Sequence, residues 1–144
     1  MRAAARRIAK RLGRRGSILL AFGGMETLYG WGIATDPRYG VVRGVGVLTH
    51  MLPMPWWGGL WMLCGLVAIA LAFEPRPRWD RWGYAAATVP MTFWSLANLV
   101  AWLSGEFGQA WTSFCTWGAF VFILMRINRW PEYSVGRGTD GAGA

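Results

Sequence analysis

The sequence is short of charge. Asp, Glu, Lys and Arg make up 15% of its 144 residues, against about 25% in an ordinary soluble domain. Too few charged side chains are present to cover a water-soluble surface. Cysteine is scarce too: Cys64 and Cys115 are the two in the chain, which excludes a disulfide-stapled secreted miniprotein. The single histidine, His50, has no second and third ligand near it, so no metal site is expected. There is no serine or cysteine nucleophile set, no phosphate-binding glycine loop and no paired carboxylates at a common site. Neither an enzyme nor a cofactor is therefore expected.

Apolar residues fill the space. They account for 54% of the chain, and eleven residues are tryptophan. That composition excludes disorder over most of the length, because disordered chains need low hydrophobicity. The length allows one domain. A small integral membrane protein remains.

The spacing between charges gives the spans. None occurs between Arg43 and Glu74, a gap of 30 residues; the gaps from Arg81 to Glu106 and from Glu106 to Arg126 are 24 and 19. A membrane-crossing helix needs roughly 20 mainly apolar residues. Spans are expected at 56–73, 83–103 and 110–127. A fourth, 17–34, comes first in the chain and contains Glu26 and four glycines. A cleaved signal peptide is its rival reading, with Gly32-x-Ala34 as the small-residue site. Glu26 interrupts the apolar run and three spans follow, which favours a span. The expected fold is all-α: a polytopic membrane protein with four transmembrane helices as two hairpins. Residues 1–15 form a basic arm, 16–130 the transmembrane domain and 131–144 a flexible Gly-rich tail. The external segment 35–55 includes the apolar stretch 41–52, read as interfacial or re-entrant because Arg43, Gly46 and His50 interrupt it.

Prolines bracket the spans: Pro53 and Pro55 before the second, Pro75 and Pro77 after it, and Pro131 after the fourth. Pro90 lies inside the third and is expected to kink it. Trp56, Trp57, Trp79, Trp82, Trp102, Trp111 and Trp130 fall at or near span ends. They form an aromatic belt, rings in the headgroup layer and N–H groups wet. A ligand-stacking box fits less well, since these tryptophans are spread over many ends.

Basic residues set orientation. Arg2, Arg6, Arg7, Lys10, Arg11, Arg14 and Arg15 precede the first span, and Arg76, Arg78 and Arg81 separate the second from the third. Arg126, Arg129 and Arg137 follow the last apolar run, so thirteen lie on one side against Arg38 and Arg43 on the other. The positive-inside rule puts both termini in the cytoplasm. The pI near 10.8 then reflects anionic headgroups as the partner of the arm and loop, and no nucleic acid is expected.

Glu26 is the sharpest chemical signal, because an intramembrane ionisable residue is a functional candidate by default. The plain alternative is a hydrogen bond that glues helices together. Thr88, Thr92, Ser95 and Asn98 step by four, three and three along the third span, so they fall near one helical face. That stripe is expected to face Glu26 or to line a wet path. Bonding of the hydroxyls to their own backbone is the simpler reading.

Arg14-Arg15-Gly16 opens the first span and Tyr29-Gly30 stands near its end. Gly58-Gly59-Leu60-Trp61 lies in the second, Asp80-Arg81-Trp82-Gly83 opens the third and Trp130-Pro131-Glu132 follows the fourth. Over residues 14 to 132 this pattern resembles small four-helix membrane proteins of actinobacterial phages and prophages. The resemblance implies a holin-like, non-enzymatic protein of the bacterial cytoplasmic (inner) membrane. It would oligomerise with itself and open the membrane to an endolysin or to ions. Two other readings stand beside it: a small proton-coupled transporter using Glu26, and an accessory subunit that binds another phage or membrane complex.

Overall fold

The structure, a computed structural model, describes residues 2–36, 44–74 and 79–130, with side chains from residue 12 onward. Among the described residues five helices form and no strand: α1 (Arg2–Thr35), α2 (Gly46–Met51), α3 (Met54–Ala72), α4 (Asp80–Leu103) and α5 (Ala110–Asn128). Three of them, α3, α4 and α5, are long and apolar enough to cross a membrane. Their bounds lie within three residues of the expected spans. The helix expected as the fourth, α1, is also long enough, but Glu26 and its glycines keep its apolar part below that class.

Local sequence explains the ends. Pro53 and Pro55 start α3, where a missing N–H removes no helical hydrogen bond. Gly105, at φ 76°, makes the left-handed turn between α4 and α5. Pro90 is buried inside α4, and that helix is continuous through it. Helix α1 is interrupted at Gly13. The segment read as interfacial contains α2, which packs on α4; its residues 37–43 lie outside the described residues, as do 75–78 and the tail from 131.

The tightest packing joins α1 to α3 along a seam of glycines. A methyl group on Gly16 would lie 2.7 Å from the carbonyl oxygen of Ala72; on Gly23, 2.7 Å from that of Gly65; on Gly30, 2.6 Å from that of Gly58. Each step advances seven residues on α1 and retreats seven on α3, so the helices are antiparallel and in one register. A seven-residue repeat keeps two helices on a common seam, and glycine lets their backbones nearly touch. A second column on α1, Leu12, Leu19, Glu26 and Ile33, repeats at the same interval and is buried throughout.

From this pair the bundle continues through α4, which packs on α3, to α5, which packs on α4. Trp61, Tyr84, Met91, Trp94 and Leu124 fill the centre. The outermost helix is α5, in which only Ala110, Leu124 and Ile127 are buried.

Candidate functional site

Glu26 stands in the α1 column that otherwise carries Leu19 and Ile33, one heptad before and after it. It is 0% exposed. Both carboxyl oxygens are buried and neither has a hydrogen-bond partner. Such a group is destabilising where it lies, since a buried polar atom left unbonded costs about 1–3 kcal/mol.

The polar stripe on α4 does not satisfy it. Thr88 donates to the carbonyl of Ala85 and Thr92 to that of Thr88, both on the exposed side of the helix. Asn98 donates to the carbonyl of Trp94 at 2.8 Å, and Ser95 crosses to the carbonyl of Phe114 on α5 at 3.0 Å. Ser95 and Asn98 are buried. The stripe therefore splits: two residues bond their own helix on its outer side, and two face inward with their donors spent on backbone. Beside Glu26, Thr27 donates to the carbonyl of Gly23 at 2.8 Å. Hydroxyls bonded to the preceding turn are the usual fate of Thr inside a helix.

An aromatic cluster on four helices occupies the interior next to this seam. Trp61 packs edge-on against Tyr29 at 4.7 Å, Trp117 at 5.2 Å and Trp94 at 5.3 Å between ring centroids. Trp94 donates its Nε1–H to the Tyr29 hydroxyl at 3.2 Å. The Nε1 of Trp61 is buried without a partner. Two unbonded polar groups, one carboxyl and one indole N–H, thus lie in the interior shared by α1 and α3. Trp61 also touches the seam itself: its Cβ would be 2.8 Å from a methyl group on Gly30.

The tryptophans expected at the interfaces divide in the same way. Trp56, Trp79, Trp82, Trp102, Trp111 and Trp130 are exposed, as membrane anchors require. Trp57 is not among them. It is buried against Phe93 and Trp94, and its Nε1–H donates to the carbonyl of Leu48 at 3.0 Å, tying α2 to α3. The apolar contact available from α2 and α4 draws this indole inward from its end position.

Arg15, read from the sequence as a headgroup contact, is buried as well. Its guanidinium pairs with Asp80 at 2.9 Å. The neighbouring Arg14 is exposed, and so is Arg81. Arg6, Arg7, Lys10 and Arg11 belong to the part of α1 whose side chains are not described, and Arg76 and Arg78 lie outside the described residues. Among the described residues no group of three metal-ligating side chains forms.

Gly23, Gly30, Gly58 and Gly65 suit close helix contact by residue type, and the seam is where that contact falls. Two features escaped the sequence reading. The inner tryptophans, Trp61, Trp94 and Trp117, are the ones away from span ends. Asp80 is the acid at the start of α4 beside a run of arginines. Compared with protein-family models, curated proteins and solved structures, the chain has no match.

Proposed function

We propose that this multi-pass membrane protein is holin-like: copies assemble in the bacterial cytoplasmic membrane and open a path across it, lined by α1. Helix α1 is the fourth span, and the thirteen-to-two bias of basic residues keeps both termini in the cytoplasm. The division of labour follows from composition. Helices α3, α4 and α5 are apolar enough to face lipid. Only α1 carries a carboxyl within its apolar stretch.

The observation that carries this reading is Glu26, fully buried and unpartnered in the column beside the glycine seam. A packing role would give it a donor, and it has none. A carboxyl buried without a protein donor favours any arrangement in which water reaches it. Rotation of α1 about its own axis provides one. Oligomers in which several α1 helices surround water would solvate the carboxyls together. No catalytic residue is needed.

The same carboxyl supports a second reading, proton-coupled transport. Glu26→Gln separates the two. The amide stays polar, so an opening that depends on a wettable side chain survives; transport that depends on a titrating group is lost. The direct test of the first reading is induced expression in a bacterium with a co-expressed endolysin. After a delay the membrane potential collapses abruptly and the endolysin is released. Steady growth with well-expressed, inserted protein would refute it.

A further inference from the structure

A second buried polar cluster lies at the end of the bundle where the apolar part of α1 begins. Arg15, two residues past the break at Gly13, gathers partners from two other helices. It pairs with Oδ2 of Asp80, the first residue of α4, at 2.9 Å. It donates to Oδ1 of Asn128 at 3.1 Å and to the carbonyl oxygens of Asn128 and Trp130 at 3.0 and 3.2 Å. Its guanidinium lies 5.5 Å from the centre of the Tyr84 ring, and the Tyr84 hydroxyl donates to the carbonyl of Arg15 at 2.8 Å. The last carbonyls of a helix lack helical donors and carry the negative end of its dipole. Arg15 therefore caps α5 and neutralises Asp80 at once, a task suited to the planar five-donor fork of arginine.

We propose that this cluster is a latch. Arg15 pins the start of the apolar part of α1 to α4 and α5, and its release lets that end of α1, still packed on α3 at Gly16, part from those two helices. The ring contacts between α1 and α5, Phe22 with Phe120 and Tyr29 with Trp117, are apolar and non-directional. The hydrogen bonds of Arg15 supply the directional hold. Removing one partner of this buried pair strands the other charge, which is strongly destabilising. Earlier opening on release rests on the pore-forming reading; the latch itself does not.

The test uses the full chain in nanodiscs, both faces open to solvent. Cys64→Ala and Cys115→Ser remove the native thiols, and Ile127→Cys reports on the latched end, where Ile127 is buried beside Asn128. Maleimide labels this thiol slowly while the latch holds. Arg15→Gln and Asp80→Asn should raise the labelling rate at least about tenfold, given the usual penalty for breaking a buried pair. Arg15→Lys, which keeps charge but loses the fork, gives a smaller rise. Tyr84→Phe, the mildest change, raises it a few-fold with helical content unchanged, so misfolding of the stronger variants cannot mimic the result. Arg15→Asp combined with Asp80→Arg should not restore protection, because aspartate has no donors for the α5 carbonyls. Unchanged labelling in Arg15→Gln and Asp80→Asn overturns the latch, and so does full protection in the swapped pair. In cells the same variants should shorten the delay before the potential collapses. Raised labelling with unchanged delay overturns the link between latch and opening. Raised labelling with no collapse from any variant, the native sequence included, upholds the latch and removes the pore-forming reading.

Discussion

Replacing Glu26 by leucine should stabilise the closed bundle while impairing its function. The site already resembles a leucine position: Leu19 and Ile33 occupy the same column one heptad away on either side, both 0% exposed. Leucine is close to glutamate in size, so the change removes two unbonded oxygens without opening a cavity. The gain is the penalty now carried by those oxygens, about 1–3 kcal/mol for an unmade hydrogen bond, and more where the carboxyl is charged. Glu26→Gln should gain less, because the amide brings donors that also lack partners. The measurement is the midpoint of thermal unfolding in detergent for the native protein and both variants, beside the time to potential collapse in cells. Leucine should give the highest midpoint and the longest delay, or no collapse at all. A leucine variant that unfolds before the native protein would refute the argument, since it would mean that Glu26 holds a bond which leucine forfeits.

Other consequences are equally direct. Gly65→Val places a branched side chain where a single methyl group would already lie 2.6 Å from the Gly23 carbonyl and from Thr27 Oγ1; α1 and α3 must separate, lowering stability by about 1–3 kcal/mol or more, while Gly24→Ala, with open space at its Cβ, leaves the unfolding midpoint unchanged or raises it. Trp57→Phe deletes the donor to Leu48, costs about 0.5–1.5 kcal/mol, and should make the chain around α2 more sensitive to protease. Reporter fusions after residues 15, 45, 78, 106 and 140 should alternate between cytoplasm and exterior; an exterior signal at 78 would break the proposed topology.

Much of this arrangement is legible in the sequence because lipid imposes few and severe rules. Uncharged runs of helical length mark α3, α4 and α5, and Pro53 and Pro55 fix the start of α3 closely. What resists reading is which side chains meet. Trp57 sits at a helix end, as an interfacial anchor does, yet α2 supplies it a carbonyl and α4 a wall of rings. Arg15 sits in a basic arm, yet an acid 65 residues away and the end of α5 draw it inside. Thr88, Thr92, Ser95 and Asn98 share approximate helical phase, but small angular differences turn the first two outward and the last two inward. Their shared phase suggests partners for Glu26, yet packing leaves its carboxyl unbonded and turns Ser95 and Asn98 to backbone carbonyls. The glycine seam was open to view, since spacing alone reveals it, but it lies in a seven-residue step rather than the four-residue step of close-packed membrane dimers.

On the proposed reading of α1 as the fourth span, the break at Gly13 fixes how much of it the membrane has to hold. At φ 60° and ψ −176° its backbone occupies a region essentially reserved for glycine. Were the 34 residues of α1 one straight rod, it would measure about 51 Å at 1.5 Å per residue, well beyond a hydrocarbon core of about 30 Å. Ended at Gly13, the remaining rod is about 33 Å, matched to the bilayer, and the stretch before it takes a direction of its own. One residue without a side chain thus acts as a measuring mark. Substituting it by any other residue would favour a stiff mast that lifts the basic stretch away from the headgroups into water.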